Sequence, residues 1–252
     1  MPIPMIDCYG MSDVGLVRSH NEDSFVTNLE QGLFAVADGM GGAQAGETAS
    51  RIAIETLVAE INQDGLDASA AMLERAVALA NENVRWEAEQ NPEYEGMGTT
   101  VVAVLARPGK LFLVNVGDSR CYLWTGGELF CVTTDDSWVN DVGRGLGLSE
   151  EQLRAHPYRN VLTKAVGAEE NLKVAAQQID FLPGDMLLLC SDGLHSVTGE
   201  EPILEVLARS GSLQSRCEAL IEAALSKGAP DNITAVLVQA SADAAEDGTS
   251  DQ

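Results

Sequence analysis

Positive charge is scarce in this chain. Fifteen Lys and Arg stand against 39 Asp and Glu, a formal net charge of -24 over 252 residues, and such a surface repels phosphate backbones and anionic membranes alike. Nucleic acid and membrane surfaces are therefore not expected partners. The five cysteines, Cys8, Cys121, Cys131, Cys190 and Cys217, are odd in number and scattered, with no CxxC pair. That argues against a disulfide frame and for reduced thiols in the cytoplasm. No apolar run is long enough to span a membrane, and the opening MPIPMIDCYG lacks the basic and apolar regions of a secretory leader. A soluble protein is expected. Only three histidines occur, His20, His156 and His195, none at ligand spacing with a cysteine, which disfavours a zinc-type nitrogen and sulfur site. No cysteine is followed six positions later by arginine, and neither GxxxxGK[ST] nor GxSxG is present. Cysteine-dependent phosphatases, P-loop enzymes and serine hydrolases with a nucleophile elbow are thereby disfavoured.

What the chain has instead is a recurring aspartate. The hydrophobic share, 45% of residues, is ample for one large domain. Its organising stretch is LFAVADGMGGAQAG, residues 33–46. The apolar run reads as a buried strand ending at Asp38, where glycines at 39, 41, 42 and 46 break regular structure. Alone, Asp38 reads as a turn residue. Yet Asp118 follows LFLVNVG, Asp192 follows MLLLCS and Asp231 precedes ITAVLV, the same setting each time. Strands meeting at one end of a sheet would gather these carboxylates, and their mutual repulsion calls for a cation. An all-oxygen donor set suits Mg²⁺ or Mn²⁺.

Along the chain, a strand is expected over residues 5–15, then a polar loop and a hairpin of strands 24–28 and 33–37. Periodicity predicts a helix from residue 47 to about 64–65 and a second from about 69, with Leu73, Val77, Ala80 and Val84 on one stripe. Short strands follow at 101–106, 111–116, 121–124 and 129–133, with turns at 108–109 and 126–127. Residues 135–166 read as a flap or a plain surface connection. Strands at 174–179 and 186–190, helices at 200–208 and 213–226, and a last strand at 233–238 complete the pattern. The acidic tail, residues 241–252, is expected to be disordered.

Six short motifs then match a known family in order. They are RSHNED (18–23), VADGMGG (36–42), GTT (98–100), VGDSR (116–120), SDGL (191–194) and PDNIT (230–234). The chain resembles the metal-dependent Ser/Thr protein phosphatases of the PP2C type, in their compact bacterial form, over nearly its whole length. The resemblance implies an α+β fold, a four-layer α-β-β-α sandwich with two central antiparallel sheets and a helix pair on each outer face, in one domain over residues 1–240. It implies that Asp38 bridges two ions, that the Gly39 carbonyl adds a ligand, and that Asp192 and Asp231 complete the first ion's protein ligands. Asp118 with Asp192 would form a third, weaker metal site. Glu22 and Asp23 would accept hydrogen bonds from water on the metals, and Arg18 would clamp phosphate. The implied activity is hydrolysis of phosphoserine and phosphothreonine in proteins by water activated at an Mn²⁺ or Mg²⁺ centre. Partners would be phosphorylated proteins and, by analogy, a cognate Ser/Thr kinase, with the phosphatase a monomer.

Two departures stand out. Met40 replaces the histidine that often follows the first DG in animal relatives, leaving metal-bound water or His20 to protonate the leaving group. Asp135-Asp136-Ser137 replaces the DHS common in bacterial relatives and puts local flap contacts in doubt. The competing reading is a catalytically silent module with the same fold that binds phosphoproteins or senses a ligand.

Overall fold

The computed structural model describes residues 6–61, 70–107 and 110–241. In chain order the elements are β1 (Ile6–Asp13), β2 (Asp23–Asn28), β3 (Leu33–Met40), α1 (Ala43–Ile61), α2 (Ala70–Gln90), β4 (Gly98–Thr99), β5 (Val101–Arg107), β6 (Lys110–Val116), β7 (Arg120–Thr125) and β8 (Glu128–Cys131). There follow α3 (Glu150–Arg154), β9 (Gln177–Ile179), β10 (Met186–Cys190), α4 (Asp192–Thr198), α5 (Glu200–Leu207), α6 (Leu213–Leu225) and β11 (Ile233–Ala240). One sheet runs β1-β11-β10-β7-β8. The other runs β2-β3-β5-β6-β9, with β4 added at the end of β3. All pairings are antiparallel.

The apolar runs are continuous because both faces of the central strands are covered. In β3, Phe34 and Val36 point into the core between the sheets, while Leu33, Ala35 and Ala37 face the helices. β10 divides likewise: Leu187 and Leu189 meet the opposite sheet, and Met186, Leu188 and Cys190 meet α4, α5 and α6. Alternation with period two therefore fills two cores from one strand. The three resulting cores make four layers, helix, sheet, sheet, helix.

The outer layers follow from helical periodicity. On α1, Ala45, Ala49, Ala53, Leu57 and Ile61 recur every four residues and are all buried, and the small alanines let the helix lie close to the sheet. On α2 the stripe expected from sequence, Leu73, Val77, Ala80 and Val84, is fully buried. Cys217, Leu220, Ile221 and Ala224 of α6 cover the second sheet beside Ile203 and Leu207 of α5.

Four expectations need adjusting. β3 continues past Asp38 to Met40, because Gly39 and Met40 pair with Thr99 and Gly98 of β4, and α1 starts at Ala43 rather than near 47. The strand expected over 174–179 is shortened to Gln177–Ile179, where pairing with β6 holds it. A short helix, α4, begins directly on Asp192 and adds a third helix to the second outer face. The expected helix boundaries near residues 64–65 and 69, the 108–109 turn and the tail from residue 242 lie outside the described residues.

Leu187 is fully buried between the sheets. Leu187→Ala should cost about 2–5 kcal/mol through lost burial and the cavity left behind. Denaturant unfolding checks this, and a cost well below that range would mean the inter-sheet core is not closely packed.

Candidate active site

The acidic residues gather at one end of the sandwich because strand ends meet there. Asp38 lies near the end of β3 and is paired across the ladder with Asp23 at the start of β2. Asp118 sits in the turn between β6 and β7, Asp192 opens α4 immediately after β10, and Asp231 lies just before β11. Arg18 and Glu22 come from the segment joining β1 to β2. A cleft of about 400 Å³ is lined by Arg18, Glu22, Asp38, Asp118, Asp192 and Asp231, with Gly39 and Met40 beside them. Asp23 is not on the cleft wall.

Motif residues that carry no charge hold this arrangement. Asp38 is gripped through its backbone: its N–H donates to Thr100 Oγ1 (2.9 Å), and its carbonyl accepts from Thr99 Oγ1 (2.9 Å) and Thr100 N–H (2.9 Å). Thr100 Oγ1 in turn lies 2.7 Å from Ser119 Oγ, tying Asp38 to the Asp118 turn. Asn232 organises the segment that bears Arg18 and Glu22. Its Oδ1 accepts from Glu22 N–H (2.8 Å), and its Nδ2 donates to the carbonyls of Val14 and His20 (2.9 Å each). Asp23 Oδ2 accepts from Ser191 Oγ (2.7 Å) and Thr234 Oγ1 (2.6 Å), a bond from one sheet to the other. Sequence reading assigned no role to Thr99, Thr100, Ser119, Ser191, Asn232 or Thr234. Their signal was their place inside the motifs as hydroxyl and amide side chains.

Gly39 is required for closeness rather than for a turn. A Cβ there would lie 2.1 Å from the Gly46 carbonyl oxygen and 2.6 Å from that of Glu22. At Gly46 a Cβ would lie 2.0 Å from Glu22 Oε2. The bend itself belongs to Gly41 and Gly42, whose φ angles of 117° and 96° suit glycine.

The electrostatics are those of crowded anions. Loss of surrounding water raises the Asp38 carboxyl well above the ordinary carboxylate range, and Asp23, Asp192, Asp118 and Asp231 raise it further. The same desolvation, with Asp192 and Asp135, lifts Asp118 to about 7. Desolvation lifts Asp23 to about 7 as well, against the lowering effect of its two hydroxyl partners. Asp192 is raised by desolvation and then by Asp231, and Glu22 by desolvation. Arg18 Nη2 sits 2.7 Å from Asp231 Oδ2 with its side chain half-exposed.

This donor set fits a hard divalent cation. The oxygens outnumber the positive charges around them, and Asp23 Oδ1 is buried with no hydrogen-bond partner. Among the described residues no three acidic, histidine or cysteine side chains already close on one point. Ions of the Mg²⁺ kind retain several waters and need few protein ligands each, so the two observations agree.

The family model for Protein phosphatase 2C matches residues 17–235. The chain belongs to the protein phosphatase 2C family. Serine/threonine protein phosphatase PstP of Mycobacterium tuberculosis is 40% identical over 229 residues, 90% of this chain but 43% of that protein, so the chain spans less than half the length of this relative. Serine/threonine phosphatase stp of Listeria innocua is 34% identical over 90% of this chain and 93% of its own length. The crystal structure of the catalytic domain of PstP in complex with two manganese ions superposes with a TM-score of 0.85 at 36% identity, over 94% of this chain and 99% of that one.

Within the protein phosphatase 2C family fold, the segment 135–166 lends Asn160 and Leu162 to the cleft wall. Arg120 Nε and Nη2 hold Asp135 at 2.9 and 2.8 Å, a fork that anchors the start of the segment. Asp136, at the departure from DHS, bonds in three directions. Its N–H donates to the Gly117 carbonyl (2.9 Å), Oδ2 accepts from Gly117 N–H (3.3 Å), and Oδ1 meets Lys164 Nζ at 2.6 Å. The aspartate thus ties both ends of the segment to the Asp118 turn. Trp138 stacks on His156 with centroids 4.1 Å apart. Met40 lines the cleft, and His20 is not among the lining residues. His195, also unassigned from sequence, points Nε2 at the Asp118 carbonyl.

Asp23 and Asp118 titrate near 7 when folded and at about 4 when unfolded. The folded state therefore binds more protons between those values, and the stability this provides is present below about pH 4 and lost as pH rises through about 7. In EDTA the melting temperature should fall between about pH 5 and about pH 8, and Mn²⁺ should narrow that fall. Equal melting temperatures at both pH values in EDTA would contradict the crowded-anion account.

Proposed function

We propose that this chain hydrolyses phosphoserine and phosphothreonine in proteins, using two divalent cations, Mn²⁺ or Mg²⁺, with a third, weaker site. The observation that carries this reading is the convergence of Asp38, Asp118, Asp192 and Asp231 on one cleft, where loss of water and then neighbouring carboxylates raise the Asp38, Asp118 and Asp192 carboxyls. Relatives named as Ser/Thr phosphatases, and PstP solved with two manganese ions, support it.

In this reading Asp38, the Gly39 carbonyl, Asp192 and Asp231 would hold the two ions, and Asp118 with Asp192 would hold the third. When bound, the ions would supply Lewis acidity and a more nucleophilic water at neutral pH. The chain does the rest. Glu22 accepts hydrogen bonds from the surrounding water and orients it, and Asp23, off the cleft wall, would reach that water only through its unpartnered Oδ1. Arg18, at the cleft rim, exchanges its bond to Asp231 for two phosphate oxygens. The 135–166 segment shields one side of the cleft. No side chain serves as a covalent nucleophile.

The catalytic unit spans residues 1–240 and acts as a monomer in the cytoplasm, on proteins phosphorylated by a Ser/Thr kinase. Its five free thiols suit that compartment, and among the described residues no helix is long and apolar enough to cross a membrane.

The deciding assay measures phosphate release from p-nitrophenyl phosphate and a phosphothreonine peptide, with Mn²⁺ and with EDTA. Release from both that needs the metal is expected, and none from either would overturn the reading. Asp38→Ala should abolish turnover while the circular dichroism spectrum stays native; near-normal rates would remove Asp38 from the bridging role. Arg18→Ala should cost about 10–100-fold in kcat/KM on the peptide, the value of a charged hydrogen bond to phosphate.

A further inference from the structure

Asp118 and Asp192 reach the cleft from unconnected pieces of chain, a β6–β7 turn and the first residue of α4. Their separation is therefore set by whatever joins the two backbones.

His195 stands one turn into α4, three residues after Asp192, and is only 7% exposed. Its Nε2 lies 3.0 Å from the Asp118 carbonyl oxygen. A carbonyl only accepts, so Nε2 carries the proton and donates. The other ring nitrogen, Nδ1, faces Ser196 Oγ at 3.4 Å. The turn's other anchors run away from α4: Ser119 bonds to Thr100, and Gly117 bonds to Asp136. Among the described residues, the His195 bond is the side-chain hydrogen bond that joins α4 to this turn.

We propose that His195 is a positioning residue for the third cation site: by pinning the Asp118 backbone to α4 it sets the separation of the Asp118 and Asp192 carboxylates. This rests on the cation-dependent reading above. His195 touches neither substrate nor ion in this account and acts through Asp118 alone. The role needs a donor at a fixed reach and a side chain that fills a buried space. Glutamine has an amide donor at comparable reach, leucine fills space without one, and asparagine carries the same amide on a shorter stem.

The test is calorimetric titration of the intact protein with Mn²⁺, comparing wild type, His195→Leu, His195→Gln and Asp118→Asn, with folding followed by circular dichroism and melting. In His195→Leu the weakest binding step should weaken about 10–100-fold, as for other residues that orient a metal ligand, while the tighter steps stay unchanged. Asp118→Asn should lose the same step, and His195→Gln should restore most of it. Wild-type affinity at every step in His195→Leu overturns the proposal. So does parallel weakening of all steps, which marks a merely structural role. Should His195→Leu fail to fold, His195→Gln and His195→Asn decide: retention in the first and loss in the second supports positioning, and equal behaviour overturns it. A wild-type protein with only two Mn²⁺ steps and metal-dependent hydrolysis removes the third site and this proposal with it, yet leaves the phosphatase reading standing. No metal-dependent hydrolysis at all would instead sink that parent reading.

Discussion

Like charges forced into one cleft are what the rest of this structure has to accommodate. Asp23, Asp38, Asp118 and Asp192 all sit where water is partly excluded, and each is harder to ionise than a free carboxyl. Coulomb repulsion at such spacing is strong in a partly desolvated site. Only a rigid frame can hold the carboxylates there. Two sheets packed through Phe34, Val36, Val102, Leu187, Leu189 and Val236 supply that rigidity, since a close-packed core resists the small shifts that would let the charges separate.

The frame meets the charges through neutral hydrogen bonds. Thr99 and Thr100 hold the backbone of Asp38, Asn232 holds the segment before Glu22, and Ser191 with Thr234 reach across the sheets to Asp23. Hydroxyls and amides suit this work because they satisfy backbone groups without adding charge to a crowded site. The same logic explains the glycines. Gly39 and Gly46 let α1 approach β3 within a distance that no Cβ permits, which brings Glu22 under the cleft.

Residues 135–166 show how a local departure can be absorbed. Asp136 adds another negative charge near the site, but Lys164 neutralises it and Gly117 N–H binds it. Asp135 is likewise matched by the Arg120 fork. The segment that lends Asn160 and Leu162 to the cleft wall is thus fastened to the turn bearing Asp118.

The sequence alone determined which segments become strands and helices and, through its ordered motifs, the cleft's charged members, while the four-layer stacking followed from the family resemblance. The continuous apolar runs at 33–37, 101–106 and 186–190 and the helical stripe of α2 survive in the fold because burial of those side chains is what drives them together. Ordered motifs named Arg18, Glu22, Asp38, Asp118, Asp192 and Asp231, which the tertiary structure brings to one cleft. Three things were decided only in three dimensions. β3 extends through Gly39 and Met40 because β4, some sixty residues on, offers them backbone partners. α4 starts on Asp192 because the chain must turn off β10 there, with Gly193 pressed against the Asn232 carbonyl. His195 gains its partner only when α4 docks beside the Asp118 turn. Local periodicity encodes what a segment buries, whereas these three depend on contacts between segments far apart in sequence, which no local pattern records.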